Sequence, residues 1–383
     1  MRIHLLGGFG EKGRTSLAIE SKGYRLMLDA GINTSVPMDH ADYYPRVSPA
    51  ALAATDALII THAHEDHVTA LGWALAHGFA GRILMGAETA RDADLAWAAY
   101  AAPDDRARAK AAAVEPLPAR GTVTLGPFTV TTGRSGHIVG GSWCVIDDGE
   151  RRFAYCGDVV PDSPVFMMDP LPPCDAIAID ASYGDDDVPA RERARQVAAF
   201  VAEHPEGCVL PTPLAGRSLE LLAILPEPIA LAPGMRASLE AQLAADEWLR
   251  PGVSGSLAAR LAAARDWREG EPLPQAALLC HDGMGMSGPA ATILPLAEQR
   301  GHPVLFTGHL PKDSPGDRMV RAGRAAWNRL PTHPTLGENR AIVSASGARV
   351  VLGHSCDPAT LRALAAHIPL LRADLSTGAS LDI

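Results

Sequence analysis

The segment His62-Ala63-His64-Glu65-Asp66-His67 carries four potential metal ligands within six residues. Side chains at alternate positions of an extended chain share a face, so His62 and His64 can grip one ion together. Asp66 and His67, at the turn into a following helix, can then reach a second. Imidazole and carboxylate at this spacing suit zinc, and manganese or iron would also fit. A solvated polar turn would account for such histidines singly, but this cluster has partners downstream. His137 lies in Ser135-Gly136-His137-Ile138-Val139-Gly140-Gly141, where the flanking glycines let a loop approach an ion. Asp158, in Tyr155-Cys156-Gly157-Asp158, could bridge two ions through its carboxylate. The chemistry such a set serves is hydrolysis. Two ions lower the pKa of a bridging water, give hydroxide at neutral pH, and stabilise charge on the group under attack.

These residues need a scaffold. Ala57–Ile60 reads as a buried strand that delivers the cluster, and Val68–His77 behind it has helical spacing. Arg2–Leu6, Thr15–Glu20, Tyr24–Asp29, Thr122–Thr132, Ser142–Asp147, Arg152–Cys156 and Ala176–Asp180 read as further strands, with Asp148-Gly149 as a tight hairpin turn. From Pro189 the texture changes. Helical stretches at Pro189–Glu203 and Gly216–Leu225 alternate with short apolar strands at Cys208–Leu210, Ile229–Leu231, Ala277–Cys280 and Val304–Thr307. That alternation points to a second α/β lobe with a mainly parallel sheet. After about Glu338 the chain returns to a strand at Arg349–Leu352 and a helix at Pro358–His367. Gly8-Phe9-Gly10-Glu11-Lys12-Gly13 formally matches a dinucleotide fingerprint. A strand follows it where pyrophosphate binding would need a helix, so the glycines read better as a turn at the rim of the site.

In the order of these motifs the sequence resembles the metallo-β-lactamase superfamily, whose αββα sandwich carries an H-x-H-x-D-H loop, a later His and a later Asp. The resemblance implies that Asp29, in Leu28-Asp29-Ala30-Gly31, orients the metal-binding loop from behind. Further stretches resemble the β-CASP nucleases of that superfamily, the branch containing RNase J and the pre-mRNA 3′-end endonuclease. Asp180-Ala181-Ser182-Tyr183-Gly184 looks like the acidic motif at the entry to the inserted domain. Gly353-His354-Ser355-Cys356-Asp357 looks like the histidine motif at the return. His281-Asp282-Gly283-Met284-Gly285-Met286-Ser287-Gly288 and Gly216-Arg217-Ser218 look like elements of the insert.

The architecture implied is an α/β protein. A metallo-β-lactamase sandwich is built from residues 1–182 and 339–383, with a β-CASP-like lobe inserted at 183–338. The implied metal ligands are His62, His64, Asp66, His67, His137 and Asp158, holding two zinc ions. Asp66 would orient the nucleophile, His354 would protonate the leaving oxygen and Asp180 would tune it. Ser182, Tyr183, Arg217, Gly285 and Ser287 would face substrate, the glycine-rich loop by offering backbone N–H groups to an anion. Arg318, Arg321 and Arg324 are either phosphate contacts or solvated helix faces. One departure weakens the second site: the family's last histidine is missing from Leu375-Ser376-Thr377-Gly378-Ala379, which leaves Asp66, His67 and Asp158 for that ion.

Composition bounds the rest. The 383 residues are nearly half hydrophobic and carry a formal charge of −10. That charge sits awkwardly with a polyanionic substrate, although a cleft can be basic on an acidic protein and bound metal adds its own charge. The scattered cysteines, with no Cys-x-x-Cys pair, fit reduced thiols in the cytoplasm. No apolar stretch approaches the roughly 20 residues that span a bilayer, so no membrane partner is expected. The function that follows is cleavage of phosphodiester bonds in single-stranded nucleic acid, RNA ahead of DNA, in a protein whose homodimerisation is open. The rivals are a hydrolase of a small-molecule ester, thioester or lactone, and a degenerate non-catalytic subunit.

Overall fold

The computed structural model describes residues 1–383. Two sheets stack face to face. The seven-stranded one runs in the order Ser380–Asp382, Arg2–Gly7, Ser16–Ser21, Tyr24–Leu28, Ala57–Ile60, Arg82–Met85, Val114–Pro116. The six-stranded one runs Val350–His354, Ala176–Asp180, Arg152–Tyr155, Ser142–Asp147, Phe128–Arg134, Gly121–Leu125. Strand alternation turns Ile3, Leu5, Leu17, Ile19 and Leu28 inward against Phe128, Val130, Ile146, Phe153 and Tyr155, all buried in one cluster. The outer faces are apolar too, and helices cover them. Met27, Leu58 and Ile60 meet Leu71, Ala74 and Trp97, from the helices Leu71–Ala76 and Ala87–Tyr100. Val145, Ala154, Ile177 and Ile179 meet Ile342, Leu361 and Leu364, from Leu336–Ser346 and Pro358–Ala365. The layers are therefore helix, sheet, sheet, helix, as expected.

Ala57–Ile60 is paired in parallel on both edges and buried at every residue, which is why it reads as an unbroken apolar run rather than an alternating one. The segment Thr122–Thr132, read above as one strand, is a hairpin of Gly121–Leu125 and Phe128–Arg134, turning where Gly126 has a φ of +57°. Val68–His77 is likewise divided: one short helix spans Glu65–Val68 and the next Leu71–Ala76.

The second lobe has a four-stranded parallel sheet in the order Cys208–Pro211, Ala277–Cys280, Ile229–Leu231, Arg265–Asp266. Its core is separate from those of the sandwich. Two details blur the expected limits of 183–338. The helix Leu336–Ser346 packs on the sandwich, and its start is fixed by a capping box in which Thr335 and Glu338 exchange hydrogen bonds. The chain is therefore back in the sandwich before residue 339. In the other direction, Val165 and Phe166, from the segment after Asp158, are buried in the second lobe's core.

That segment forms a seam. Phe166 bridges to Leu249, and Arg250 Nη2 donates to the Pro161 carbonyl at 3.0 Å. Ser163 Oγ donates to Glu220 Oε1 at 2.6 Å, while Glu220 Oε2, on a side chain only 2% exposed, has no partner. Burial pushes the Glu220 carboxyl up to about 7, against the ordinary 4.5. The folded state therefore holds a proton that the unfolded chain releases between these values. The stability this contributes is complete below pH 4.5 and is lost as pH rises to about 7. Glu220→Gln should remove this pH dependence and exceed the parent's stability at pH 8 by up to about 3 kcal/mol. Urea unfolding at pH 5 and pH 8 checks this, and parallel pH profiles for the two proteins would rule it out.

Candidate functional site

The His62–His67 segment leaves the C-terminal end of the strand Ala57–Ile60, the end at which parallel sheets present their sites. Its backbone is stitched to the neighbouring turn. Thr15 N donates to Asp66 O at 2.9 Å, Ala30 N to His67 O at 2.8 Å and Ile32 N to Glu65 O at 3.2 Å. The approach is so close at Gly31 that a Cβ there would lie 1.7 Å from the Asp66 carbonyl oxygen. Only glycine fits.

Asp29 lies beneath this loop with no solvent exposure. Its Oδ1 accepts from Thr61 N at 2.7 Å. Its Oδ2 accepts from Thr61 Oγ1 at 2.8 Å, from Tyr155 Oη at 2.8 Å and from His67 Nδ1 at 2.7 Å. The His67 ring is thereby turned so that Nε2 faces Asp158 Oδ1 at 3.2 Å. Burial opposes a charge on His67, but Asp158, Asp29 and Asp66 together hold it well above the usual imidazole range. A bound cation would take over that stabilising role from the proton.

Around Asp158 the ligand atoms converge. One each from His62, His64, His137 and Asp158 lie within 4.8 Å of one another. His64 Nδ1 and His137 Nε2 are 3.0 Å apart, and Asp158 Oδ2 is 3.7 Å from His62 Nε2 and 3.6 Å from His137 Nε2. Burial, then the neighbouring His67 charge, lowers His62 well below its ordinary value. Burial, then His64, does the same to His137, and burial lowers His64 to about 4. Neutral imidazoles are the form that binds metal. The donor set fits an ion on a further count: His62 Nε2, His67 Nε2, Asp158 Oδ1 and His354 Nε2 are all buried with no hydrogen-bond partner. Orphaned polar atoms are rare in protein interiors, and a cluster of them marks a site built for a ligand.

The remaining expected residues fall differently from the sequence reading. His354 does not pair with Asp180. Its Nδ1 is 2.9 Å from Ser355 Oγ, its ring is fully enclosed, and its free Nε2 belongs to the orphaned set, in the field of Asp180, Asp158 and His67. Asp180 pairs instead with His333, whose Nδ1 is 2.8 Å from Asp180 Oδ2. Ser182 fixes the same carboxylate, through N at 3.1 Å and Oγ at 2.6 Å to Oδ1. Tyr183 stands edge-on to His333 with ring centroids 5.0 Å apart, and its hydroxyl accepts from Thr332 N at 3.0 Å. Asp158, Asp180 and His333 also offer atoms within 4.8 Å of one another. In that trio the His333 nitrogen is already bound to Asp180, which suits a held ring better than a metal ligand.

His333 was not singled out in the sequence. Its signal was there: a histidine just before Thr335-Leu336-Gly337-Glu338, the pattern of a helix capping box. The stretch Leu375–Ala379, where a last ligand was missing, instead closes the Gly8–Gly13 turn, with Thr377 N donating to Phe9 O at 2.9 Å.

One expectation about substrate contacts is corrected. The glycine-rich loop does not offer its N–H groups to an outside anion, because the Asp282 carboxylate occupies them. Its Oδ1 accepts from Met284 N and Met286 N at 3.0 Å and from Gly285 N at 2.5 Å, and Oδ2 accepts from Ser287 N and Oγ. Arg318, Arg321 and Arg324 are engaged at the surface with the Asp313 carbonyl, with Asp313 and Asp317, and with Glu298 respectively. Arg217 alone of the arginines considered reaches the site, donating from Nη2 to Thr332 Oγ1 at 2.9 Å.

Asp29→Asn keeps the volume but cannot accept all these hydrogen bonds, so the His67 ring loses its anchor. Metal affinity, measured with added zinc by chelator competition, should fall about 10- to 100-fold. An unchanged affinity would show that Asp29 does not orient the loop.

The sequence profile of the metallo-beta-lactamase superfamily matches residues 10–210, more than half of the chain. Among curated relatives, transcription termination factor FttA of Methanothermobacter thermautotrophicus is 29% identical over 256 residues, 59% of this chain and 39% of that protein. FttA of a Lokiarchaeum is 26% identical over 253 residues, 60% of this chain and 40% of that protein. Endoribonuclease YSH1 of Yarrowia lipolytica is 26% identical over 244 residues, covering 58% of this chain and 29% of its own length. The chain thus spans well under half of these relatives. In fold it is similar to a crystallised protein of unknown function from Enterococcus faecalis V583, with a TM-score of 0.64 over 99% of both chains at 12% identity. With the profile match, the layered sandwich and the ligand loop at the end of its strand in agreement, the chain belongs to the metallo-β-lactamase superfamily.

Proposed function

We propose that the protein hydrolyses phosphodiester bonds in single-stranded nucleic acid, RNA in preference to DNA, with zinc in two adjoining sites. The observation that carries this reading is the set of buried, unpartnered ligand atoms around Asp158 with the His333–Asp180 pair beside it. His62, His64, His137 and Asp158 would hold one ion, and Asp66, His67, Asp158 and His354 the other. His354 thus supplies the ligand that the C-terminal stretch lacks. Bound there, the ions supply a water of lowered pKa and a field that steadies charge on the phosphoryl oxygens.

The other steps fall to side chains. Asp180 accepts the hydrogen of His333 Nδ1, which leaves Nε2 to donate a proton to the leaving oxygen. A histidine suits that task because its ordinary pKa lies near neutrality. His333 also has access: its side chain is 15% exposed, whereas His354 is sealed. Ser182 locks Asp180, and Tyr183 limits the swing of the His333 ring. Asp66, 23% exposed, faces the space where a nucleophile would be oriented.

The named activity of YSH1 and the role of FttA in transcription termination support RNA as the polymer. The second lobe, residues 183–338 adjusted at both ends by the packing above, would be the β-CASP-like insert that holds substrate over the metals. No helix is long and apolar enough to cross a membrane, and work on RNA in the cytoplasm fits that, as monomer or homodimer. One observation favours a small-molecule ester instead: Arg318, Arg321 and Arg324, the basic run of the second lobe, are all engaged with neighbouring groups of the protein itself.

Metal content together with cleavage of 5′- and 3′-labelled RNA and DNA tests the proposal, with His64→Ala as control. Bound metal without cleavage of either polymer would overturn it. Within it, His333→Ala should lower turnover by about 10²- to 10⁴-fold with metal retained, whereas His354→Ala should lose metal. The reverse pattern would return the acid role to His354.

A further inference from the structure

The tryptophans of this chain are packed away, with one exception. Trp97, Trp143, Trp248 and Trp267 are buried, and Trp73 packs on Tyr44 and His77. Trp327 is 41% exposed, the one aromatic ring among the large apolar side chains left in solvent. Single exposed apolar side chains are ordinary at a surface. Trp327 differs in how firmly it is held and in what lies beside it.

The backbone under it is a paired, extended segment. Ala326 N donates to Val304 O at 2.9 Å, Asn328 N to Phe306 O at 3.0 Å and Leu330 N to Thr307 O at 2.9 Å. Residues two apart in such a segment share a face, which sets Trp327 and Arg329 side by side. Trp327 Nε1 donates to the Gly308 carbonyl at 2.8 Å, and that bond fixes the plane of the ring. The Arg329 guanidinium lies over the indole, 5.6 Å from its centroid, and is itself held by Asp186 at 2.9 Å. One edge of the ring is thus tied and one face backed, and the exposed surface is what remains.

From Arg329 the stack continues inward to the candidate site. The same guanidinium lies over the Tyr183 ring at 4.2 Å, and Tyr183 meets His333 edge-on at 5.0 Å. His333 Nδ1 is 2.8 Å from Asp180 Oδ2 and 3.7 Å from Asp158 Oδ2, the carboxylate on which the ligand atoms converge. A second path joins the same two ends. Gly308, which takes the indole N–H, abuts Arg217, since a Cβ on it would lie 2.3 Å from Nη1. Arg217 in turn donates to Thr332, the residue before His333. Trp327 is therefore the outer end of a continuous stack of rings and guanidinium that starts at His333, with no step longer than 5.6 Å.

We propose that Trp327 is a stacking platform for a base of single-stranded nucleic acid, near the phosphodiester that reacts beside His333. The platform rests on the hydrolase reading above and deepens it, because substrate is then gripped by a nucleobase as well as by its reacting phosphate. Every base has a π-face, so the platform accepts any sequence. It also needs no basic surface, which suits a chain with a formal charge of −10. A base laid on the indole adds one layer to the stack, and a ring already held by Gly308 and Arg329 loses little freedom on binding. Bases inside a duplex are covered by their neighbours on both faces, so the platform selects single strands.

Binding, rather than turnover, tests the platform. Two fluorescent ten-nucleotide phosphorothioate strands that resist cleavage, an oligouridine and its fully abasic counterpart, are titrated into the protein with zinc added. Trp327→Ala should weaken oligouridine binding about 5- to 150-fold, the loss of one base–aromatic stack, and leave the abasic strand unchanged. Trp327→Phe should recover most of the loss, whereas Trp327→Leu, which covers Arg329 without a π-face, should not. The slope of log Kd against log salt should match the parent's, because no phosphate contact is removed. Should Trp327→Ala fail to fold, the comparison of Trp327→Phe with Trp327→Leu carries the test. Oligouridine affinity kept without the ring, or an equal loss on both strands, would overturn the platform. So would a parent that binds both strands alike, with the nuclease reading left standing. A parent that binds neither strand would overturn both.

Discussion

The buried carboxylate of Asp29 is the constraint on which the rest depends. An ion taken out of water is tolerated only when its lone pairs are satisfied, and here donors from three places do so. Thr61 lies on the ligand loop, His67 on the helical turn after it and Tyr155 on a strand of the opposite sheet. Asp29 itself has a φ of +59°, a conformation side chains seldom adopt, which turns the chain back under the loop. The two sheets, the His62–His67 loop and, through His67, Asp158 are thus tied to one another through a single group. Their mutual distances are set by hydrogen bonds rather than by loose packing.

The second lobe meets this assembly at close quarters. Gly216, with φ +72°, lies over the His137 loop so tightly that a Cβ would be 2.5 Å from the Ile138 Cγ2. His333 arrives from the other end of the lobe and binds Asp180 at the edge of the sandwich. The candidate site therefore lies at a seam, with the His62–His67 loop, His137 and Asp158 from the sandwich and His333 and Arg217 from the second lobe. The seam is partly polar, through Ser163, Glu220 and Arg250, and partly apolar, through Phe166.

What could be read from the sequence were features written within a few residues of each other. The His62–His67 run, the glycines around His137 and the strand before Asp158 each carry their meaning locally, and the layered fold followed from the family resemblance that these motifs carry. What could not be read depends on distant partners. Nothing near Asp180 says that its partner is His333, 153 positions away, rather than His354, its neighbour on the adjacent parallel strand. The surroundings separate the two histidines, His354 being enclosed and His333 partly exposed. The glycine-rich loop misled for a related reason. Its N–H groups do converge on an anion, but that anion is Asp282, one residue of the loop itself.

The order of these residues along the chain also has a temporal consequence. Asp29 through Asp158 leave the ribosome well before His333 and His354, and the strand Val350–His354 is an edge strand laid beside Ala176–Asp180 only when it has been made. Chains fold in domains as they emerge, N-terminal parts first. A nascent polypeptide of this sequence therefore carries the His62–His67 loop, His137 and Asp158 well before His333 and His354 exist to close over them.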